Sequence, residues 1–134
     1  MNDSMGEYVA LETIKSMLKK GLPVLNAKII ILGFTFKENC PDVRNTKVID
    51  IYNALREYNL DITVYDPWAN PDIVYREYGI HIANELPDTK FSAAIAAVAH
   101  DRYAGLDICS LLEDRHVIFD VKGTLPREII DGRL

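Results

Sequence analysis

Apolar residues recur along the chain with two periods, and the alternation between these periods predicts the fold class. Steps of three and four residues, typical of amphipathic helices, occur at residues 4–20, 45–58 and 71–78, and a short helix is expected at 110–113. Apolar runs typical of buried strands occupy residues 28–33, 61–65, 80–83, 91–99 and 116–121. Because helices separate successive strands, we expect an α/β fold with a doubly wound parallel sheet and right-handed crossovers.

The first helix has clear start and stop signals. Ser4 and Glu7 have the spacing of a capping box, and Gly21 and Pro23 are typical helix terminators. The predicted apolar stripe consists of Met5, Tyr8, Leu11, Ile14 and Leu18. Such a helix needs a surface to pack against, in this chain or in another domain. We expect the boundary between this helix and the α/β domain near residues 21–27.

The second helix is expected to begin at Asn45 as its N-cap. Its buried face should consist of Val48, Ile51, Tyr52 and Leu55. The first strand leads into this helix through residues 28–47, KIIILGFTFKENCPDVRNTK. A dinucleotide-binding domain would have a glycine-rich turn there. Phe36, Lys37, Cys40 and Arg44 stand in its place.

Polar residues follow the predicted strands, where open parallel sheets bind their ligands. They are Lys37, Arg44, Asp66, His100, Asp101, Asp120 and Lys122. Cations at this edge would suit a phosphorylated or otherwise anionic ligand. Simpler explanations stay open: Lys37 and Arg44 as solvated charges, Asp66 as a turn former and His100 as a satisfied structural histidine. Cys40 has no evident base partner, so we do not expect it to be a catalytic thiol.

Composition narrows the function classes. The 134 residues suffice for one compact domain, and the net charge of −5 argues against nucleic acid or an acidic membrane as the main partner. No apolar run reaches the roughly 20 residues of a membrane span. Two distant cysteines without metal-ligand spacing favour free thiols, no metal site and a cytoplasmic location.

The segments ILGFTFKENCPDVRNTKVIDI, VYDPWANP, AAIAAVAH and IFDVKG together resemble the C-terminal, UDP-binding domain of the UDP-glucose/GDP-mannose dehydrogenase family. The form TFKENCPDVRNTK is most similar to the branch that acts on UDP-N-acetylhexosamines. The resemblance implies a Rossmann-like domain at residues 27–134, preceded at 1–26 by the end of the family's central connecting helix. It also implies an NAD-dependent oxidation of the sugar C6 hydroxyl through a cysteine-bound thiohemiacetal.

The same resemblance implies roles for individual residues. Phe36, Lys37 and Lys122 would bind the UDP-sugar, with Lys122 standing where the family often has arginine. Arg44 would reach the NAD pyrophosphate. The catalytic cysteine and the glycine-rich turn would belong to an N-terminal NAD-binding domain, so we expect no catalytic residue in this chain. The complete enzyme would be a homodimer or a higher oligomer.

Two alternatives to this interpretation come from other function classes. One is a free-standing nucleotide- or anion-binding module without catalysis. The other is an unrelated α/β enzyme that uses His100 with Asp66 or Asp120.

Overall fold

A computed structural model describes residues 4–103 and 105–134, except for the side chains of Ser4 and Arg102. The α-helices are α1 (Ser4–Lys19), α2 (Val48–Arg56) and α3 (Pro71–Tyr78). The strands are β1 (Lys28–Leu32), β2 (Asp61–Tyr65), β3 (Ile82–Ala83), β4 (Phe91–Ala96), β5 (Leu112–Asp120) and β6 (Gly132–Arg133). Within the described residues, 3-10 turns lie at Asp101–Tyr103, Ile108–Leu111 and Arg127–Ile129.

The strands form one parallel sheet in the order β3-β2-β1-β4-β5-β6, which confirms the predicted α/β class. The chain proceeds from β1 toward one edge and then returns to β4 on the other side of β1. The strand ends are level, because Leu32 pairs with both Tyr65 and Ala96, and Ala96 pairs with Asp120. Residues that follow these four strands therefore meet at one edge, at the topological switch point between β1 and β4.

The two faces of the sheet have different cover. Ile29 and Ile31 belong to the core that includes α1, α2 and α3, whereas Ile30 and Leu32 point to the opposite core. That second core is completed by residues of the 3-10 turns and of the segment after β5, such as Ile108 and Ile129. The α-helices thus lie on one face, and short turns cover the other.

The apolar stripe predicted for α1 is wrong in most of its positions. Tyr8, Leu11 and Leu18 are 48%, 44% and 61% exposed, and of the predicted stripe Ile14 is buried and Met5 is partly buried. The buried residues of α1 are instead Gly6, Val9, Ala10, Thr13, Ile14 and Met17. Both faces carry apolar residues, so periodicity alone could not select between them.

Two contacts explain how the buried face of α1 packs. The Thr13 hydroxyl donates to the Val9 carbonyl at 2.8 Å, which satisfies its polar group inside the core. Gly6 lies so close to α2 that a Cβ there would be 2.6 Å from Asp50 Cβ. The helix therefore packs against this chain itself. The Ser4 hydroxyl, the expected partner in the capping box, lies outside the described side chains.

The start of α2 also differs from the prediction. Asn45 is not its N-cap, because this residue adopts a left-handed conformation with φ 61°, which asparagine tolerates. The Thr46 hydroxyl instead accepts the Val48 N–H at 3.2 Å. The predicted buried face is confirmed, with Val48, Ile51 and Leu55 buried and Tyr52 packed partly against them.

Several boundaries are confirmed and one strand was missed. The predicted α3 is confirmed: the Asn70 side chain caps its N-terminus and Gly79 ends it with φ 74°. The strand expected at 116–121 is not the last one, because β6 pairs with β5 as a two-residue edge strand. A run of two residues, Gly132 and Arg133, carries no periodic signal.

Candidate functional site

The loop after β1 begins with two buried side chains and continues with exposed ones. Phe34 and Thr35 are buried, while Phe36 and Lys37 are exposed. The Phe36 N–H donates to the Asp42 carbonyl at 2.7 Å, which closes the loop on itself. Tyr78 on α3 packs edge-on against Phe34 and donates its hydroxyl proton to the Val43 carbonyl. The loop is therefore held by its surroundings and presents an aromatic ring and a cation to solvent.

Asp66, directly after β2, is fully buried and accepts hydrogen bonds on both oxygens. Oδ1 accepts the N–H groups of Trp68 and Ala69 at 2.7 and 3.2 Å, which forms the expected turn. Oδ2 accepts the N–H groups of Phe34 and Thr35 at 2.7 and 3.1 Å. Burial alone would raise its pKa, but the hydrogen bonds from His100 and from the backbone outweigh burial and lower the pKa of Asp66.

His100, four residues after β4, is a buried histidine with both ring nitrogens engaged. Its Nε2 lies 2.9 Å from Asp66 Oδ2 and 3.1 Å from the Thr35 hydroxyl, and its Nδ1 accepts the Asn39 N–H at 2.8 Å. This confirms the structural explanation of His100 and argues against its use as a general base. Asp120 is equally committed, because its oxygens accept the N–H groups of Gly123 and Leu125. The unrelated-enzyme alternative therefore loses its proposed base.

Arg44 lies at the far end of the same loop, with its side chain 83% exposed. Its guanidinium donates from Nε and Nη2 to the two oxygens of Asp42, at 3.1 and 3.3 Å. These hydrogen bonds lower the pKa of Asp42 and raise the pKa of Arg44. Arg44 is thus charged and accessible, and a surface carboxylate orients it.

Lys122 follows β5 and lies between two pockets at the switch-point edge. Its Nζ is 3.9 Å from Glu38 Oε2, so it faces the loop after β1. The larger pocket, about 570 Å³, is lined by Lys122, His100 and apolar side chains that include Tyr103 and Leu125. Burial raises the pKa of the Tyr103 hydroxyl, which stays a neutral donor there. The smaller pocket, about 120 Å³, is lined by Lys122 and Phe36 among others.

The predicted site residues therefore reach the expected edge in different settings. Phe36 and Lys122 share a pocket wall, and Lys37 is displayed on the same loop as Phe36. Arg44 is paired with Asp42, a partner that its i, i+2 spacing in the loop allowed but did not require. Sequence reasoning missed Thr35 and Asn39, whose contacts depend on the approach of β2 and β4.

Two negative observations apply to the described residues. Among residues 4–103 and 105–134, no group of three or more His, Cys, Asp or Glu side chains could hold a metal ion. In the same part of the chain, no helix combines the length and apolar character needed to cross a membrane.

Comparison with known proteins identifies the family. A family model described as the UDP-glucose/GDP-mannose dehydrogenase family, UDP binding domain, matches residues 30–127. The chain is 44% identical to UDP-N-acetyl-D-glucosamine 6-dehydrogenase of Salmonella typhi and 40% identical to the protein of the same name from Pseudomonas aeruginosa. Each alignment covers 100% of this chain and 32% of the relative. The chain thus spans about a third of the length of these curated relatives.

Solved structures show the same fold. The crystal structure of NDP-N-acetyl-D-galactosaminuronic acid dehydrogenase from Methanosarcina mazei superposes with a TM-score of 0.83 at 19% identity, covering 96% of this chain and 27% of that chain. The UDP-N-acetyl-mannosamine dehydrogenase Cap5O from Staphylococcus aureus gives 0.72 at 24% identity, covering 98% and 30%. The expected resemblance, including the likeness to dehydrogenases of UDP-N-acetylhexosamines, is confirmed. This chain belongs to the UDP-glucose/GDP-mannose dehydrogenase family and contains its UDP-binding domain.

Proposed function

We propose that this chain is the UDP-sugar-binding part of an NAD-dependent dehydrogenase. The complete enzyme would oxidise the C6 hydroxyl of a UDP-N-acetylhexosamine to the carboxylate in two hydride transfers. The observation that carries the proposal is the identity of 44% and 40%, over the whole chain, to two proteins named UDP-N-acetyl-D-glucosamine 6-dehydrogenase. UDP-glucose is the runner-up substrate, because relatives named UDP-glucose 6-dehydrogenase match at lower identity.

The switch-point edge suits the UDP half of such a substrate. A diphosphate carries negative charge, and Lys37 and Lys122 supply cations beyond the ends of β1 and β5. Phe36 is 52% exposed and shares a pocket with Lys122, so its ring can pack against the nucleotide-sugar. These three side chains would hold and orient the substrate, and closure of the domain over it would exclude water.

This chain offers only a partial fit to NAD. Gly33 packs against Val98 and α2 begins only at Val48, so no helix N-terminus forms a pyrophosphate cradle after β1. The exposed guanidinium of Arg44 does fit a phosphate, because it can exchange Asp42 for a ligand oxygen in the same two-pronged geometry. When bound, NAD would accept the hydride, and Arg44 would help to hold it from this side.

The remaining parts of the proposal concern the complete enzyme. We place the nucleophilic cysteine and most of the NAD site in another region of the longer protein, with residues 1–26 as the connecting segment. The complete enzyme would act in the cytoplasm as a homodimer or higher oligomer. The free thiols Cys40 and Cys109 are compatible with such a reducing compartment.

The test is NADH formation by the full-length protein with UDP-N-acetylglucosamine, UDP-N-acetylgalactosamine and UDP-glucose as separate substrates. We expect turnover of an N-acetylhexosamine substrate to exceed that of UDP-glucose, and no turnover by this chain alone. Activity of this chain alone that disappears in Cys40→Ala would overturn the assignment of the nucleophile. If the full-length protein binds UDP but oxidises none of these UDP-sugars, a binding module without catalysis is favoured instead.

A further inference from the structure

We infer that Asp66 and His100 are positioning residues that fix the loop from Gly33 to Asn39 and thereby orient Phe36 and Lys37. The identity of the ligand that this loop meets rests on the proposed function. The positioning itself rests on contacts within this chain.

Asp66 provides the first anchor of the loop. Its Oδ2 accepts the N–H groups of both Phe34 and Thr35, the two residues that precede the displayed pair. Its Oδ1 is held by its own turn after β2, so the carboxylate cannot rotate without losing hydrogen bonds. The end of β2 thus sets the point at which the loop leaves β1.

His100 provides the second anchor, on the other side of the displayed pair. Its Nδ1 accepts the Asn39 N–H at 2.8 Å, and an accepting Nδ1 carries no proton. The ring is therefore the tautomer with its proton on Nε2, directed at Asp66 Oδ2. The next residue adds a contact, because the Asp101 N–H donates to Asn39 Oδ1 at 2.9 Å.

The two anchors enclose a short span of chain. We call the hydrogen bonds of Asp66 and His100 to this loop the latch. Phe36 and Lys37 lie between Thr35 and Asn39, so the latch holds both ends of the segment that exposes them to solvent. The latch is inaccessible to solvent, with the side chains of Asp66 and His100 both 0% exposed. Although His100 is among the residues around the larger pocket, neither side chain has an exposed surface with which to contact a ligand. Their effect on binding must therefore pass through the geometry of the loop.

Two substitutions separate the two contacts of His100. Glutamine can place an amide N–H at the position of Nε2 and donate to Asp66, but it has no acceptor at the position of Nδ1. Asparagine can place Oδ1 near the position of Nδ1 and accept the Asn39 N–H, but it leaves Asp66 without its donor. His100→Gln therefore releases the Asn39 end of the loop, and His100→Asn keeps it.

The experiment is a titration of this chain, ¹⁵N-labelled, with UDP, combined with thermal unfolding of each variant. We expect His100→Gln to raise the Kd for UDP about tenfold and to shift the amide resonances of Phe36 and Lys37. His100→Asn should lose at least as much thermal stability while it changes the Kd less. In the unsubstituted chain, the ring ¹⁵N shifts should report the tautomer protonated on Nε2.

Thr13→Val is the matched control. It removes another buried hydrogen bond, in α1 and away from the loop, so it should lower stability without shifting the Phe36 and Lys37 amides. A Kd that follows thermal stability across all variants, Thr13→Val included, would overturn the positioning role. If the unsubstituted chain fails to bind UDP, the proposed function fails. The positioning role is then tested by the amide chemical shifts of the loop alone. Unchanged Phe36 and Lys37 resonances in His100→Gln would refute it.

Discussion

Replacement of Gly33 by alanine should disturb the switch point more than any change on the displayed part of the loop. Gly33 has φ 102°, a conformation that side-chain-bearing residues rarely adopt. A Cβ at this position would lie 2.5 Å from Val98 Cβ and 2.9 Å from the Val98 nitrogen. Ordinary carbon–carbon contacts are about 3.5–4.0 Å, so β1 and the segment after β4 would have to separate.

The expected magnitude follows from these two effects. A left-handed conformation costs a residue with a Cβ about 1–2 kcal/mol. Overpacking against a backbone that cannot move freely costs a further 1–3 kcal/mol or so. Gly33→Ala should therefore lower the free energy of unfolding by about 2–5 kcal/mol. That is a large fraction of the roughly 5–15 kcal/mol that stabilises a typical domain.

Gly79→Ala supplies the matched control for this prediction. Gly79 has φ 74°, and a Cβ there would meet nothing within 4 Å. Its substitution therefore carries the backbone cost without the collision. In urea unfolding at equilibrium, Gly33→Ala should be less stable than Gly79→Ala by about 1–3 kcal/mol. Equal losses in the two variants would refute the close approach of Gly33 to Val98.

Three further predictions address other parts of the chain. Asn70→Ala should lower the free energy of unfolding by about 1 kcal/mol in urea titrations, because its side chain caps α3, and an unchanged midpoint would contradict that role. The lowered pKa of Asp66 means that its contribution to stability is complete above the usual value of 3.8 and is lost as the pH falls below it through the folded-state pKa. Asp66→Asn, although less stable at neutral pH, should accordingly show a shallower acid loss in urea midpoints measured across that range, and an unchanged acid slope would contradict it. In the full-length enzyme, Lys37→Ala should mainly raise the KM for the UDP-sugar and Arg44→Ala the KM for NAD⁺, each by about tenfold to a hundredfold, with partial rescue by Arg44→Lys. Equal effects of both substitutions on both substrates would contradict the separate roles.

Local signals allowed much of the fold to be predicted from the sequence. The helix at Pro71–Tyr78 has a capping asparagine before it and a glycine after it, and both act within a few residues of chain. The buried face of α1 could not be predicted in this way, because it depends on which of two apolar faces packs against α2. The close contact of Gly6 with α2 determines that face. The edge strand β6 exists because β5 offers it a partner, which no local pattern in Gly132–Arg133 reveals.

In the candidate site, too, some features could be predicted from the sequence and others depend on contacts between distant residues. The order of strands and loops was enough to place Lys37 and Lys122 at one edge, because parallel strands end together. The latch was out of reach, since it joins residues that lie far apart in the chain, with Asp66 and His100 separated by 34 positions. Its geometry requires the observed level ends of β1, β2 and β4.

The most direct test of the UDP-binding assignment is a comparison of UDP with uridine as ligands of this chain, by calorimetry or by amide chemical shifts. We expect saturable binding of UDP with shifts at Phe36, Lys37 and Lys122. Uridine should bind more weakly by about tenfold to a hundredfold, because it lacks the phosphates that the two lysines would contact. Lys122→Ala should remove much of that difference. Equal affinity for uridine and UDP, or shifts that avoid the ends of β1 and β5, would contradict the assignment of this edge as the nucleotide site.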